Sequence, residues 1–179
     1  ELKQKIDVTN EISIKELDEA KFLNFTSEKQ KLRKCNVYIV AVPTPVDKYN
    51  NPNFENLIEA SNFVGTLLNS GDAVIYESTV FPGATEEICV PILERSSGMQ
   101  INNGFYCGYS PERINPGDKQ RTISKIVKIT SGSNPYAAKF VDDLYKEVIE
   151  AGTYPVSSMK IAEAAKIIEN TQRDINIAL

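Results

Sequence analysis

Four stretches of this 179-residue chain carry side chains that can do chemistry together. Lys166 and Asn170 stand four apart inside a helical pattern, so they share one helix face. A cation beside an amide donor suits an alkoxide or oxyanion that develops during a reaction. Glu112 sits in the loop Ser110-Pro111-Glu112-Arg113-Ile114-Asn115-Pro116-Gly117, where a carboxylate can serve as general acid or base. Thr79 follows Ser78 in Glu77-Ser78-Thr79-Val80-Phe81-Pro82-Gly83, and its hydroxyl can orient water without titrating. Thr44 is held between Pro43 and Pro45.

Each stretch also has an ordinary structural explanation. Ser and Thr ahead of a helix are common N-caps. Prolines end strands because they cannot donate to a ladder. Glu112 beside Arg113 can be an exposed ion pair, which is worth little. Glu163, Lys166, Asn170 and Arg173 form a polar stripe, and such a stripe usually faces solvent. What favours chemistry is position. Three of the four stretches lie where an apolar run stops, and ligands of open parallel sheets bind beyond the carboxyl ends of strands.

The elements that must place these residues alternate in type. Asn36–Val42 reads as a central strand, nearly all apolar, and stops at Pro43-Thr44-Pro45. Asn53 caps a helix from Phe54 to about Asn69, and Ser70-Gly71-Asp72 ends it. Ala73–Tyr76 is a strand leading into Glu77-Ser78-Thr79, followed by a helix over Thr85–Arg95. Phe105–Tyr109 and Ile123–Ser131 read as strands, with a helix from Asn134-Pro135 to about Ile149. Thr153–Val156 is a last short strand, and Ser158 caps a helix running to Leu179. Ahead of them, Glu1–Lys5 reads as a helix end. Ser13–Ala20 is a short helix whose Ser13 and Glu16 form a capping box, Phe22–Phe25 is a short strand, and Ser27–Lys34 is a short helical or turn segment.

This alternation predicts an α/β fold with a mainly parallel, Rossmann-like sheet. We expect one domain over residues 1–156 and the start of a long connecting helix over 157–179. The charged start without Met and the uncapped end read as an internal piece of a larger protein, a sheet lacking its first βαβ unit.

Composition narrows the function classes. A net charge of −4 argues against a nucleic-acid or anionic-membrane partner. No apolar run reaches the roughly 18 residues of a membrane helix, and the start does not read as a signal peptide. The chain has no histidine, and Cys35, Cys89 and Cys107 are isolated, so neither a Cys/His zinc site nor a Ser-His-Asp triad can form within it. Scattered thiols suit a reducing cytoplasm and small core positions.

Taken in order, Val42-Pro43-Thr44-Pro45, Glu77 to Gly83, Ser110 to Gly117 and Glu163-Ala164-Ala165-Lys166-Ile167-Ile168-Glu169-Asn170 resemble the UDP-glucose/GDP-mannose dehydrogenase family. The start of the chain and Asn170-Thr171-Gln172-Arg173-Asp174 are most similar to its branch acting on UDP-N-acetylhexosamines, the Vi-antigen type UDP-N-acetylglucosamine C6 dehydrogenases among them. The resemblance implies oxidation of a sugar C6 alcohol to a carboxylate in two hydride transfers to NAD, through a cysteine thioester, for surface polysaccharide synthesis. It implies that Pro43, Thr44, Ser78 and Thr79 contact NAD. It gives Glu112, Lys166, Asn170 and Thr79 catalytic roles. Glu112, Arg113, Ile114, Asn115, Lys166 and Asn170 would bind the UDP-sugar. It also implies a homodimer. Members acting on UDP-glucose often carry a second glutamate four residues after the first; here that place is Pro116, which favours the N-acetylhexosamine branch. Which epimer is used stays open. No GxGxxG occurs in the chain, and no cysteine sits in a nucleophile's context. These absences leave a rival reading, a non-catalytic α/β module binding a nucleotide or a partner.

Overall fold

The apolar runs become a five-stranded sheet in the computed structural model, which describes residue 4 and residues 6–7, 12–49, 51–113 and 123–179. Strands β1 (Val37–Val40), β2 (Ala73–Tyr76) and β3 (Tyr106–Tyr109) lie side by side and parallel. All four residues of β2 are buried, as a strand covered on both faces requires. Next come β4 (Lys128–Gly132), antiparallel to β3, and β5 (Thr153–Pro155), parallel to β4.

Helices cover both faces. One core contains Val74, Tyr76, Cys107 and Tyr109 from the strands. It also holds Leu57 and Val64 of α2 (Glu55–Gly65), Leu93 of α3 (Val90–Ser97), and Met159 and Ala162 of α5 (Met159–Ala178). On the other face Ile75 meets Val141 and Tyr145 of α4 (Pro135–Lys146). The arrangement is Rossmann-like. No helix among the described residues is long and apolar enough to cross a membrane.

The caps follow their residue types. Ser13 and Glu16 form the expected capping box on α1 (Ile14–Glu19). Asn134 accepts the Ala137 N–H at 2.8 Å with Pro135 in the first turn of α4. Ser158 accepts the Ile161 N–H and starts α5. Lys29–Lys34 is a 3₁₀ helix within the short helical or turn segment expected there.

Several expectations are corrected. Phe22–Phe25 forms no strand; Phe22 is exposed and its carbonyl is taken by the Asn24 side chain, a local bond that competes with pairing. Helix α2 stops at Gly65, short of Asn69, and α4 stops at Lys146, short of Ile149. The helix after β2 opens with a π-turn at Thr85–Cys89, where the Val90 N–H reaches back to Thr85. Pro91, without an N–H, cannot extend a regular ladder there. Ile123–Ser131 is not one strand; a 3₁₀ turn over Ile123–Lys125 precedes β4. Cys89 and Cys107 are core residues but Cys35 is exposed. The expected helix end at Glu1–Lys5 lies almost wholly outside the described residues.

Candidate functional site

The carboxyl ends of β1 and β2 open onto a cleft of about 190 Å³. From β1 come Ala41, Val42, Pro43 and Thr44, and from β2 come Glu77, Ser78 and Thr79. Ser78 is buried and its hydroxyl donates to the Val42 carbonyl at 2.7 Å, which ties the two strand ends together. The buried Tyr109 hydroxyl donates to the Ser78 carbonyl at 3.1 Å and braces the turn from β3. Thr79 itself is exposed in the cleft. The Thr44 hydroxyl is buried there without a hydrogen-bond partner, an arrangement suited to a polar group of a ligand.

The other wall comes from α5 and the loop after β3. Lys166 and Glu112 both line the cleft, with Lys166 Nζ 3.8 Å from Glu112 Oε2. Burial pushes the Lys166 ammonium below the usual lysine range; Glu112 opposes that shift and the Lys128 cation adds to it.

Lys128 comes from the antiparallel strand. Because β4 enters from the carboxyl end of β3, its first residue lands beside Glu77. The Lys128 ammonium makes no directed hydrogen bond. It is held by charge and by a ring, 3.0 Å from Glu77 Oε1 and 4.9 Å over Tyr145. The Tyr145 hydroxyl donates to the same Glu77 oxygen. Glu77 therefore enters the cleft with its charge partly balanced from behind. Desolvation, with Glu77 close by, pushes the Tyr145 phenol up, so it stays a donor.

Six residues singled out from the sequence thus meet at one cleft: Pro43, Thr44, Ser78, Thr79, Glu112 and Lys166. Two others stand aside. Arg113 reaches α5 instead of the cleft: its Nε lies 2.6 Å from Glu169, and a second nitrogen donates to the Val127 carbonyl. Asn170, one turn beyond Lys166, accepts a hydrogen bond from Arg173. Ile114, Asn115 and Pro116 lie outside the described residues.

Glu163 overturns the solvated-stripe expectation. It is fully buried, and its carboxylate accepts the Gly83 and Thr85 N–H groups and the Thr85 hydroxyl. Lys128 was missed too. The available signal was a lysine inside the apolar run Ile126-Val127-Lys128-Ile129, in phase with buried Thr130. The thiols do not join the site. Burial drives Cys89 up to about 12 and Cys107 well above its usual value, so neither supplies a thiolate.

The profile of the UDP-glucose/GDP-mannose dehydrogenase family, NAD binding domain, matches residues 5–149. The UDP-N-acetyl-D-glucosamine 6-dehydrogenase of Salmonella typhi is 59% identical over the whole chain. The protein of the same name from Pseudomonas aeruginosa is equally similar. The chain spans 42% of the length of each of these relatives. Among solved structures, the UDP-D-ManNAc dehydrogenase of Pyrococcus horikoshii superposes with a TM-score of 0.83 at 32% identity, over 92% of this chain and 39% of that one.

Proposed function

This chain belongs to the UDP-glucose/GDP-mannose dehydrogenase family, and on that premise we propose that the whole protein oxidises the C6 hydroxyl of a UDP-N-acetylhexosamine to a carboxylate, with NAD as acceptor. The observation that carries the reading is the cleft, where Thr44, Thr79, Glu112 and Lys166 converge from two strand ends, a loop and a helix. The two relatives named UDP-N-acetyl-D-glucosamine 6-dehydrogenase support the sugar class, as does proline at position 116. Residues 1–156 are then nucleotide-binding, and 157–179 begin a helix leading to a dimerisation domain.

NAD would supply a hydride acceptor, one molecule for each of the two oxidation steps. Pro43 and Thr44, with Ser78 and Thr79, would hold it, and the unpartnered Thr44 hydroxyl fits that role. The chain's own residues do the rest. The Lys166 ammonium stabilises the sugar alkoxide and the later oxyanion. Asn170 joins it from the same helix face: its amide oxygen accepts from Arg173, and its NH₂ group is the donor for the oxyanion. Glu112 accepts the proton of the water that cleaves a thioester intermediate, and Thr79 orients that water. Arg113, Ile114 and Asn115 complete the sugar side. The thioester needs a cysteine other than Cys35, Cys89 and Cys107. The product is an activated acidic sugar suited to polysaccharide synthesis in the cytoplasm, and the active form is a homodimer.

The test is NADH formation by the whole protein on a panel of UDP-sugars. Two NADH per UDP-N-acetylhexosamine, with little signal on UDP-glucose, is the expected result. Nucleotide binding without NADH on any sugar would replace this reading by the non-catalytic module.

A further inference from the structure

Among the described residues, Glu163 is the most deeply buried charged side chain, and the proposed chemistry leaves it unused. It lies on α5, three residues before Lys166 and so on the same side of the helix. Its side chain is 0% exposed. Oε2 accepts from Gly83 N at 2.5 Å; Oε1 accepts from Thr85 N at 2.9 Å and from Thr85 Oγ1 at 2.6 Å. These donors open the helical segment that follows the Thr79 turn. Backbone N–H groups at a helix start have no partner within the helix, and the positive end of the helix dipole favours an anion there. The cap is therefore supplied by a second helix, the one that carries Lys166.

The joint is tight. Gly83 has φ +102°, and a Cβ on it would come within 2.6 Å of Glu87 Oε1 and 2.8 Å of Lys160 Cε. Ala84, between the two anchored residues, is fully buried. An exposed ion pair, Lys160 to Glu87 at 3.4 Å, closes the outside of the same joint. A carboxylate suits this place and an amide does not. Both oxygens accept, whereas glutamine would turn an NH₂ group against one of the backbone donors.

We propose that Glu163 is a positioning residue, a latch that fixes the Thr79 turn against the helix bearing Lys166 and so sets the spacing of the two walls of the cleft. The inference rests on the reading of Thr79 and Lys166 as the groups that face the reacting atoms. It adds to that reading the residue that holds them in register.

The experiment compares the whole protein with its Glu163→Gln variant at a temperature where circular dichroism shows both folded. The expected result is a kcat lower by roughly 10–100-fold with KM for NAD changed far less, because misplacing reacting groups by a fraction of an ångström costs rate before binding. Thr79→Ala should cost less in the Glu163→Gln background than in the native one, since the turn it truncates is already misplaced. Hydrogen exchange is the readout independent of turnover: protection over residues 77–85 should fall in Glu163→Gln while the β2 amides stay protected. A folded Glu163→Gln protein with native kcat and native exchange over 77–85 overturns the latch. Additive effects of the two substitutions overturn it too and leave Glu163 a purely structural cap. Should the native protein form no NADH on any UDP-sugar, the dehydrogenase reading fails instead, and the exchange over 77–85 still decides the latch.

Discussion

In the proposed mechanism Lys166 trades stability for chemistry. Its side chain is 13% exposed, and the ion-pair partner it has among the described residues, Glu112, is 3.8 Å away and 41% exposed. A half-solvated partner at that distance returns little, while desolvation of the ammonium costs more. The lowered ammonium value says that desolvation wins. Between that lowered value and the ordinary 10.5, the unfolded chain holds a proton that the folded chain has released. Stability therefore rises with pH through that window, and below it the buried charge is a standing cost. Lys166→Met keeps the aliphatic stem and removes the charge. It should raise Tm at pH 7, and the gain should fade as pH approaches 10.5. The same substitution in the whole protein should cut turnover by roughly 10²-fold or more, as loss of an oxyanion donor does. A lower Tm at pH 7 would mean that the pairing with Glu112 outweighs burial, and near-native turnover would remove Lys166 from the mechanism.

At the scale of elements, the seating of α4 on β4 decides where Lys128 sits. A Cβ on Gly132 would meet Ala138 N at 2.2 Å and Ala137 C at 2.5 Å, backbone against backbone, with no flexible group to yield. Gly132→Ala must push the helix off the strand and should cost about 1–3 kcal/mol, in the range of overpacked sites. Asn134→Ala loses only the cap to Ala137 and should cost about 1 kcal/mol. Urea midpoints of the two variants check the order; a Gly132→Ala protein no less stable than Asn134→Ala would show that the strand end can give way. These elements also show what a sequence discloses. Strands β1 and β2 were legible because β-branched runs end at proline or at a polar turn. The start of α4 was legible from Asn134-Pro135. The antiparallel entry of β4 was not, because a periodic pattern gives the face a residue takes and not the direction of its neighbour. The π-turn at Thr85–Cys89 was hidden for a related reason, since three and a half turns of helical spacing read the same with one turn widened.

At the scale of the molecule, the cleft residues were legible as polar groups at strand ends, and the partners behind them were not. Glu163 and Lys128 were misjudged or missed because a charged residue reads as exposed until its partner is found. Glu163 finds Gly83 and Thr85 eighty and seventy-eight residues away, and Lys128 finds Glu77 across the sheet. The same helix α5 has a second side. Met159 and Ala162 are buried in the domain, whereas Ile161, Ile168 and Ile175 are 47%, 66% and 55% exposed. Their spacing of seven makes a straight apolar seam along a 20-residue helix, the pattern by which helices pair. In the proposed homodimer this seam meets its symmetry mate, so each position counts twice. Burying an isoleucine contributes about 1.5–3 kcal/mol, and replacing it with a glutamate adds the cost of a desolvated charge. Ile168→Glu with Ile175→Glu should therefore weaken the dimer of the whole protein by roughly 10³-fold or more, enough to turn a micromolar sample monomeric in sedimentation velocity. The latch at Glu163 lies on the opposite side of α5, so hydrogen exchange over residues 77–85 should be unchanged in that variant. A variant that sediments as the native protein does would move the dimer contact elsewhere, and a native protein that is monomeric at all concentrations would remove it.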